Sequence, residues 1–521
     1  MGVWAVSLLT ISEENLFQRL AFDNPWWKFT SASEIKFRRP AKRVFFAPFF
    51  SSVEKVDASG QFVGLVVLAG PLRAGKTVMV RQTVARLIEK GVSPSSVCYC
   101  SMALPTLAEA GPENLLRVFS SRYGHGRESG LFLFFDEVQY IKDWRKKLTA
   151  LAEAWPKARF VAAVSSISPA LTTGGTSANG RVSTFQLPPL TFLEFLRFRK
   201  TEDILFGTAT AAGGAEKPAN AMVLAPGALT ALNDEFHRYV NFGGFPDGVL
   251  GRGADVGGGG PSPAFIRDVL ADGVLHKDLA GLHGINDTRE LNRLFALLAR
   301  NTALEVSIEE LAKAVGVAKN TLRKYLDYLE SAFLIRRLPR LDRHAKRFQR
   351  AVAFKVYLTS PCLYAALFGP VSADDKVFPR LAETALVSQW LGSRTKPGVP
   401  GARDALAYAS WRGGAIDLLA IDRKSGKPDR VYELDWGDEY AGAGAGASAK
   451  ANKGPAGLTD FVKETNPKAK AYILTRETAR QGVMAGVDIT LAPLSLYAYW
   501  LERAAANPAP GPSPGPSQAG D

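Results

Sequence analysis

Short apolar runs alternate with longer amphipathic stretches from about residue 35 to 200. That rhythm predicts a parallel sheet covered by helices. The apolar runs are Val63 to Ala69, the Val97 region (Ser96 to Ser101), Leu131 to Phe135 and Arg159 to Ser165, and a helical stretch from Thr77 to Ile88 follows the first. Residues 220–350 read mainly as helix. Residues 352–502 mix helices with short strands at Ala405–Trp411, Ile416–Asp422, Arg430–Leu434 and Ala469–Leu474. Four stretches are too rich in Gly, Ala, Ser or Pro to bury much apolar surface: Gly207–Pro218, Gly251–Pro263, Ala441–Gly457 and Asn507–Asp521. They read as flexible seams and an end. No internal repeat is evident.

The turn between the first strand and the first helix changes the picture most. It reads Gly70-Pro71-Leu72-Arg73-Ala74-Gly75-Lys76-Thr77, an unbroken G-x-x-x-x-G-K-[ST] phosphate loop with an apolar run before it and a helix after it. Glycines let the backbone curl so that N–H groups converge on phosphate oxygens, and the helix start adds its positive dipole end. Lys76 is placed to reach the β- and γ-phosphates, and the Thr77 hydroxyl to ligate Mg²⁺. A second mark is Leu131-Phe132-Leu133-Phe134-Phe135-Asp136-Glu137, an apolar strand ending in two carboxylates. Asp136 is expected to hold Mg²⁺ and Glu137 to polarise the attacking water as a general base. Such an ending is common by itself; downstream of a phosphate loop it becomes a Walker B candidate. No Asn-Lys-x-Asp guanine reader is found, which favours ATP. The fourth strand ends at Ser165-Ser166, where Ser165 either senses the γ-phosphate or only caps a turn. Arg181, after a Gly/Thr/Ser-rich loop, either stabilises transition-state charge, in cis or from a neighbouring subunit, or lies on the surface.

These residues, with Asp143-Trp144, Gly180-Arg181, Leu187-Pro188-Pro189-Leu190-Thr191-Phe192-Leu193-Glu194-Phe195, Gly243-Gly244-Phe245-Pro246 and Asn24-Pro25-Trp26-Trp27, resemble the prokaryotic AAA-like P-loop ATPases. Those proteins carry a C-terminal domain of unknown function related to restriction-type nucleases. The resemblance covers nearly the whole chain apart from the insertions and tail, and it implies ATP binding and hydrolysis.

Two further regions carry candidate chemistry. Ser307 to Leu326 reads as helix–turn–helix, with a Ser307/Glu310 capping box, Gly316 at the turn and a possible wing strand at Phe333–Leu338. As a DNA reader it would place Lys319, Asn320 and Arg323 in a groove; as a packing module it would not. In the C-terminal region Glu383, Asp417 and Glu433 fit the acids of a restriction-type nuclease, but Asp435 stands where lysine belongs, and Lys450, Lys453 and Lys463 lack the spacing. This domain is therefore expected to be nuclease-like in fold and inactive, with a binding or scaffold role.

Composition adds limits. The chain has 521 residues, 46% of them hydrophobic, and a net charge of +14. No apolar run approaches the ~20 residues of a membrane span, and neither a signal peptide nor a myristoylation site is read at the start. Three cysteines cannot make a disulfide framework, and Cys98 and Cys100 fit a buried strand, so a reducing cytoplasm is expected. Residues 319–350 hold ten Lys/Arg against Asp327, Glu330 and Asp342, a local charge of +7. A second basic cluster is Lys36, Arg38, Arg39, Lys42 and Arg43. Duplex DNA is one expected partner for such density and a solvated face the other reading; an oligomer is left open. The expected fold is α/β: a 1–34 extension, a P-loop sheet domain over 35–205, a helical lid and winged-helix region over 220–350, a nuclease-like α/β domain over 352–502 and a 503–521 tail.

Overall fold

The structure, a computed structural model, describes residues 12–28, 41–57, 59–62, 64–166, 182–206, 227–250, 288–348, 353–390, 404–438 and 455–506. The four low-complexity stretches lie outside these, apart from the end of the third. The described residues divide into two compact units, the first ending at Leu187 and the second beginning at Pro188.

The first unit is built on a five-stranded sheet of β1 (Leu65–Ala69), β2 (Val97–Ser101), β3 (Leu131–Asp136), β4 (Ala158–Val164) and β5 (Val182–Gln186). Their order is β2-β3-β4-β1-β5, and every pairing is parallel. Strands β1, β3 and β4 are buried along their whole length. This explains their unbroken apolar runs, since a parallel sheet is covered on both faces. Edge strand β5 is mostly half-buried and carries Ser183, Thr184 and Gln186, so no apolar run announces it. Helices α1 (Glu13–Asp23), α2 (Phe46–Glu54), α3 (Lys76–Glu89), α4 (Pro105–Tyr123) and α5 (Trp144–Ala154) complete the unit.

Asn24-Pro25-Trp26-Trp27 protects the other edge. The Asn24 amide donates to the Tyr99 carbonyl at 2.8 Å and accepts from the Tyr99 N–H at 2.6 Å. Both indoles donate to the Val97 carbonyl, at 3.0 and 2.8 Å. Side chains thus satisfy part of β2's outer edge, which would otherwise invite another strand.

In the second unit a nine-stranded mixed sheet runs β13-β14-β12-β11-β10-β9-β7-β8-β6. Its members are β6 (Leu304–Ser307), β7 (Ile335–Leu341), β8 (Ala353–Leu358), β9 (Asp404–Trp411), β10 (Gly414–Asp422), β11 (Pro428–Asp435), β12 (Lys470–Thr475), β13 (Arg480–Met484) and β14 (Val487–Pro493). Strand β7 pairs antiparallel with β8 and, through Arg340 and Leu341, parallel with β9. The strand following the helix–turn–helix pair is therefore continuous with the C-terminal strands. That pair forms over Ile308–Val315 and Lys319–Ser331. Ser307 accepts the Glu310 N–H at 3.1 Å, and Gly316 supplies the turn at φ 86°. Leu311, Val315, Leu322, Leu326 and Leu329 are all buried, as their spacing predicts.

The Thr191–Phe195 and Gly243–Pro246 motifs interlock inside this unit. Thr191 and Glu194 form a capping box on the helix Phe192–Arg199. Leu190 donates its N–H to the Gly244 carbonyl at 2.7 Å, and its own carbonyl accepts the Tyr239 hydroxyl at 2.9 Å. Gly244 sits at φ 96° against the Ser360 side chain, where a Cβ would collide. Both motifs are thus accounted for by packing.

Candidate nucleotide site

All five parallel strands present their C-terminal ends to one edge, and β4 lies between β1 and β3. The loop after β1, the carboxylates ending β3 and the serine ending β4 therefore converge there. Gly70 donates its N–H to the Val164 carbonyl at 3.2 Å and lies against the Leu187 carbonyl so closely that a Cβ has no room. Arg73 at φ 65° and Gly75 at φ 96° turn the loop back on itself. Gly75 caps α3 without a side-chain hydrogen bond, leaving first-turn N–H groups for an anion. The buried Arg43 donates to the Ala74 carbonyl at 2.7 Å and braces the loop. Lys76 is itself buried, and its ammonium donates to the Gly70 and Pro71 carbonyls at 3.1 and 3.0 Å.

Asp136 is the hub of the acidic side. Its Oδ2 accepts the Thr77 hydroxyl at 2.6 Å and the Tyr99 hydroxyl at 2.9 Å, and its Oδ1 accepts the Glu137 N–H at 3.0 Å. Burial, then the neighbouring Glu137 charge, push its carboxyl above the usual range, while Thr77, Lys76 and Tyr99 oppose this. Burial and the Asp136 charge hold the Tyr99 phenol protonated, so it serves as a donor. A hydroxyl and a carboxylate oxygen side by side are hard ligands of the kind Mg²⁺ takes. Thr77 and Asp136 are thus the residues that could hold that ion.

Glu137 stands at φ 54°, an uncommon conformation for a residue with a side chain. Its Oε2 accepts the Ser165 hydroxyl at 2.7 Å and the Gln139 amide at 2.5 Å. The structure therefore brings Lys76, Thr77, Asp136, Glu137 and Ser165 together; Arg181 lies outside the described residues. Sequence reading gave no role to Tyr99 or Gln139, and it placed Arg43 in a basic cluster for an anionic partner, whereas Arg43 is buried against the loop. The position of Gln139, two residues after Glu137, offered some signal. Tyr99 and Arg43 offered none, because their placement depends on sheet register and on a separate segment of chain.

A second polar cluster lies in the other unit. Lys355 on β8 places its ammonium 3.1 Å from Glu383 and 3.5 Å from Asp417, and donates to the Asp417 carbonyl at 3.1 Å. Tyr357 donates to Glu383 at 2.5 Å. Burial lowers the affinity of the Lys355 ammonium for its proton, but the Glu383 and Asp417 charges outweigh it and the net shift is upward. Glu433 is buried, and its Oε1 has no hydrogen-bond partner among the described residues. Burial and Asp417 push its carboxyl well up. An ammonium thus enters the acids from a strand that the Glu-x-Lys spacing does not reach. Among the described residues, no three Asp, Glu, His or Cys groups are gathered to hold a metal.

Four of the ten basic residues of the stretch 319–350 form ion pairs within their own unit. Lys319 pairs with Glu309 at 3.0 Å, Arg337 with Asp327 and Glu330 at 2.7 and 2.6 Å, Arg340 with Glu305 at 3.2 Å and Arg343 with Glu464 at 2.6 Å. Arg323 donates to Asn320 at 3.0 Å.

Comparison with known proteins bears on the region that contains the first of these sites. Residues 64–196 match an AAA domain family, and residues 233–374 match a domain of unknown function (DUF8612). An uncharacterized protein of Haemophilus influenzae is 24% identical over 55% of this chain, and one of Methanocaldococcus jannaschii 27% identical over 39%. The chain spans 65% and 42% of the length of these relatives. Among solved structures, a Thermotoga maritima RuvB mutant is 18% identical, covering 57% of this chain and 89% of its own, with a TM-score of 0.25. AMPPCP-bound DnaA from Aquifex aeolicus is 13% identical, covering 56% and 89%, with a TM-score of 0.27. The parallel sheet within residues 64–196 is thus that of an AAA-like P-loop domain, and the described residues are mixed α/β.

Proposed function

We propose that this protein binds ATP at residues 70–77 and hydrolyses it with Mg²⁺, coupling nucleotide state to movement of its other regions. The observation that carries this reading is the Thr77 hydroxyl set 2.6 Å from Asp136, beside a Glu137 carboxylate held at 2.7 Å by Ser165. The loop N–H groups and Lys76 bind and orient the phosphates. Thr77 and Asp136 hold Mg²⁺, which when bound neutralises phosphate charge. Glu137 takes the proton of the attacking water, and Ser165 contacts the γ-phosphate. Arg181 is assigned to transition-state charge, in cis or from a second copy. Calorimetric titration with Mg²⁺ and ATP tests the binding step: the wild type binds, and Lys76→Ala loses at least about tenfold in affinity, as expected for removing a buried charged contact. Equal affinity in the two proteins contradicts the assignment. The location proposed is cytoplasmic; no helix among the described residues is long and apolar enough to cross a membrane.

A second reading attaches to Lys355, 3.1 Å from Glu383 and 3.5 Å from Asp417. Its ammonium is a candidate for the one that the Asp435 position lacks. On this reading the cluster keeps phosphodiester chemistry, although among the described residues no three acids are gathered there to hold a divalent ion. Mg²⁺-dependent nicking of duplex DNA, lost in both Lys355→Ala and Asp417→Ala, supports it; no nicking by the wild type removes it. The stretch 319–350 carries no comparable observation for DNA binding.

A further inference from the structure

Gln139 lies in the short turn Val138–Tyr140 after the strained Glu137, and its side chain is buried. It makes two contacts there: Nε2 donates to Glu137 Oε2 at 2.5 Å, and Oε1 accepts the Ser165 N–H at 3.3 Å. The amide cannot be turned round, because a carboxylate only accepts and a backbone N–H only donates. Gln139 therefore ties the end of β3 to the end of β4 in one orientation. Meanwhile the Ser165 hydroxyl has one proton, and it points to Glu137 at 2.7 Å.

A phosphate oxygen arriving at Ser165 needs the same proton, so Ser165 cannot serve phosphate and Glu137 together. When the hydroxyl turns to phosphate, Gln139 is left as the donor that keeps Glu137 in place. We propose that Gln139 is a positioning residue that holds Glu137 while Ser165 is handed from the carboxylate to the terminal phosphate, so that the pair discriminates nucleoside triphosphate from diphosphate. This rests on the nucleotide reading above and adds to it a residue and a basis for ligand choice.

Without Gln139, recruiting Ser165 strips Glu137 Oε2 of both donors, a cost borne with triphosphate and not with diphosphate. The test measures binding of a non-hydrolysable ATP analogue and of ADP, each with Mg²⁺, to wild type and Gln139→Leu. The variant is expected to lose at least about tenfold in analogue affinity, the scale of one hydrogen bond to a charged group, with ADP affinity unchanged. Gln139→Met keeps the length but offers no donor and no charge, and gives a loss in the same direction even if the leucine variant does not fold. In a Ser165→Ala background the Gln139 changes no longer alter the ratio, as a double-mutant cycle reads. An unchanged analogue-to-ADP ratio in the folded variants, or equal weakening of both ligands, overturns the proposal. A wild type that binds the analogue but turns over no ATP ends the hydrolysis reading while the ratio still decides the role of Gln139. A wild type that binds neither nucleotide ends both.

Discussion

The Thr77 hydroxyl donates to Asp136 across 2.6 Å, although 59 positions separate them in sequence. Parallel strands and a shared C-terminal edge close that gap. If these oxygens hold Mg²⁺, Asp136→Asn removes the only charge of the pair. ATPase activity should then need at least about tenfold more Mg²⁺ for half-maximal rate, by analogy with the cost of weakening a metal site. Titrating Mg²⁺ at saturating ATP checks this; an unchanged half-point removes Asp136 as a ligand.

Gly70 is required by contact and not by its φ. A Cβ there meets the Leu187 carbonyl, a backbone atom that cannot rotate away. Gly70→Ala should destabilise the first unit by about 1–3 kcal/mol, the usual scale of overpacking. Gly130→Ala, with open space around it, serves as the control and should change little. Thermal unfolding of the two variants separates them.

The legible parts of this fold were those with a one-dimensional signature. The apolar runs at Leu65–Ala69 and Leu131–Phe135 announce themselves because both faces of the parallel sheet are covered. Strand β5 did not, because an edge strand can keep Ser183 and Thr184 half exposed. The phosphate loop is local in sequence, so its residues could be named from spacing. Tyr99, Arg43 and Lys355 could not, since each reaches its partners through register or from a separate strand. Lys355 shows the limit well: the Asp435 position suggested a lysine-free acid cluster, yet an ammonium lies within 3.5 Å of two of its acids.

Asn24 gives a test of the edge-capping role. It is fully buried and makes two bonds to the Tyr99 backbone. Asn24→Ala leaves both Tyr99 groups without those partners, a cost of about 1–3 kcal/mol for each buried group left unsatisfied. Denaturant unfolding should show a loss of that order. A change below about 0.5 kcal/mol, typical of plain surface positions, would contradict the role.

Burial pushes the Glu383 carboxyl up to about 6, with Lys355 and Tyr357 pulling it down. The folded state therefore holds that proton more tightly than the unfolded chain, whose carboxyl titrates near 4.5. Stability from this group is fully present below that value and is lost as pH rises through about 6, by on the order of 2 kcal/mol. Relative to Glu383→Gln, the wild type should lose stability between pH 4.5 and 7 in denaturant titrations. A difference that stays flat or grows in favour of the wild type with pH contradicts the shift.

The central claim is hydrolysis at the Asp136–Glu137 strand end, and Glu137→Gln tests it most directly. The substitution keeps size and hydrogen bonding but removes the base, whose contribution is typically about 10²–10⁴-fold. Single-turnover ATP hydrolysis, with nucleotide affinity measured on the same protein, should show binding retained and turnover reduced by at least about a hundredfold. Wild-type turnover in Glu137→Gln would contradict the account.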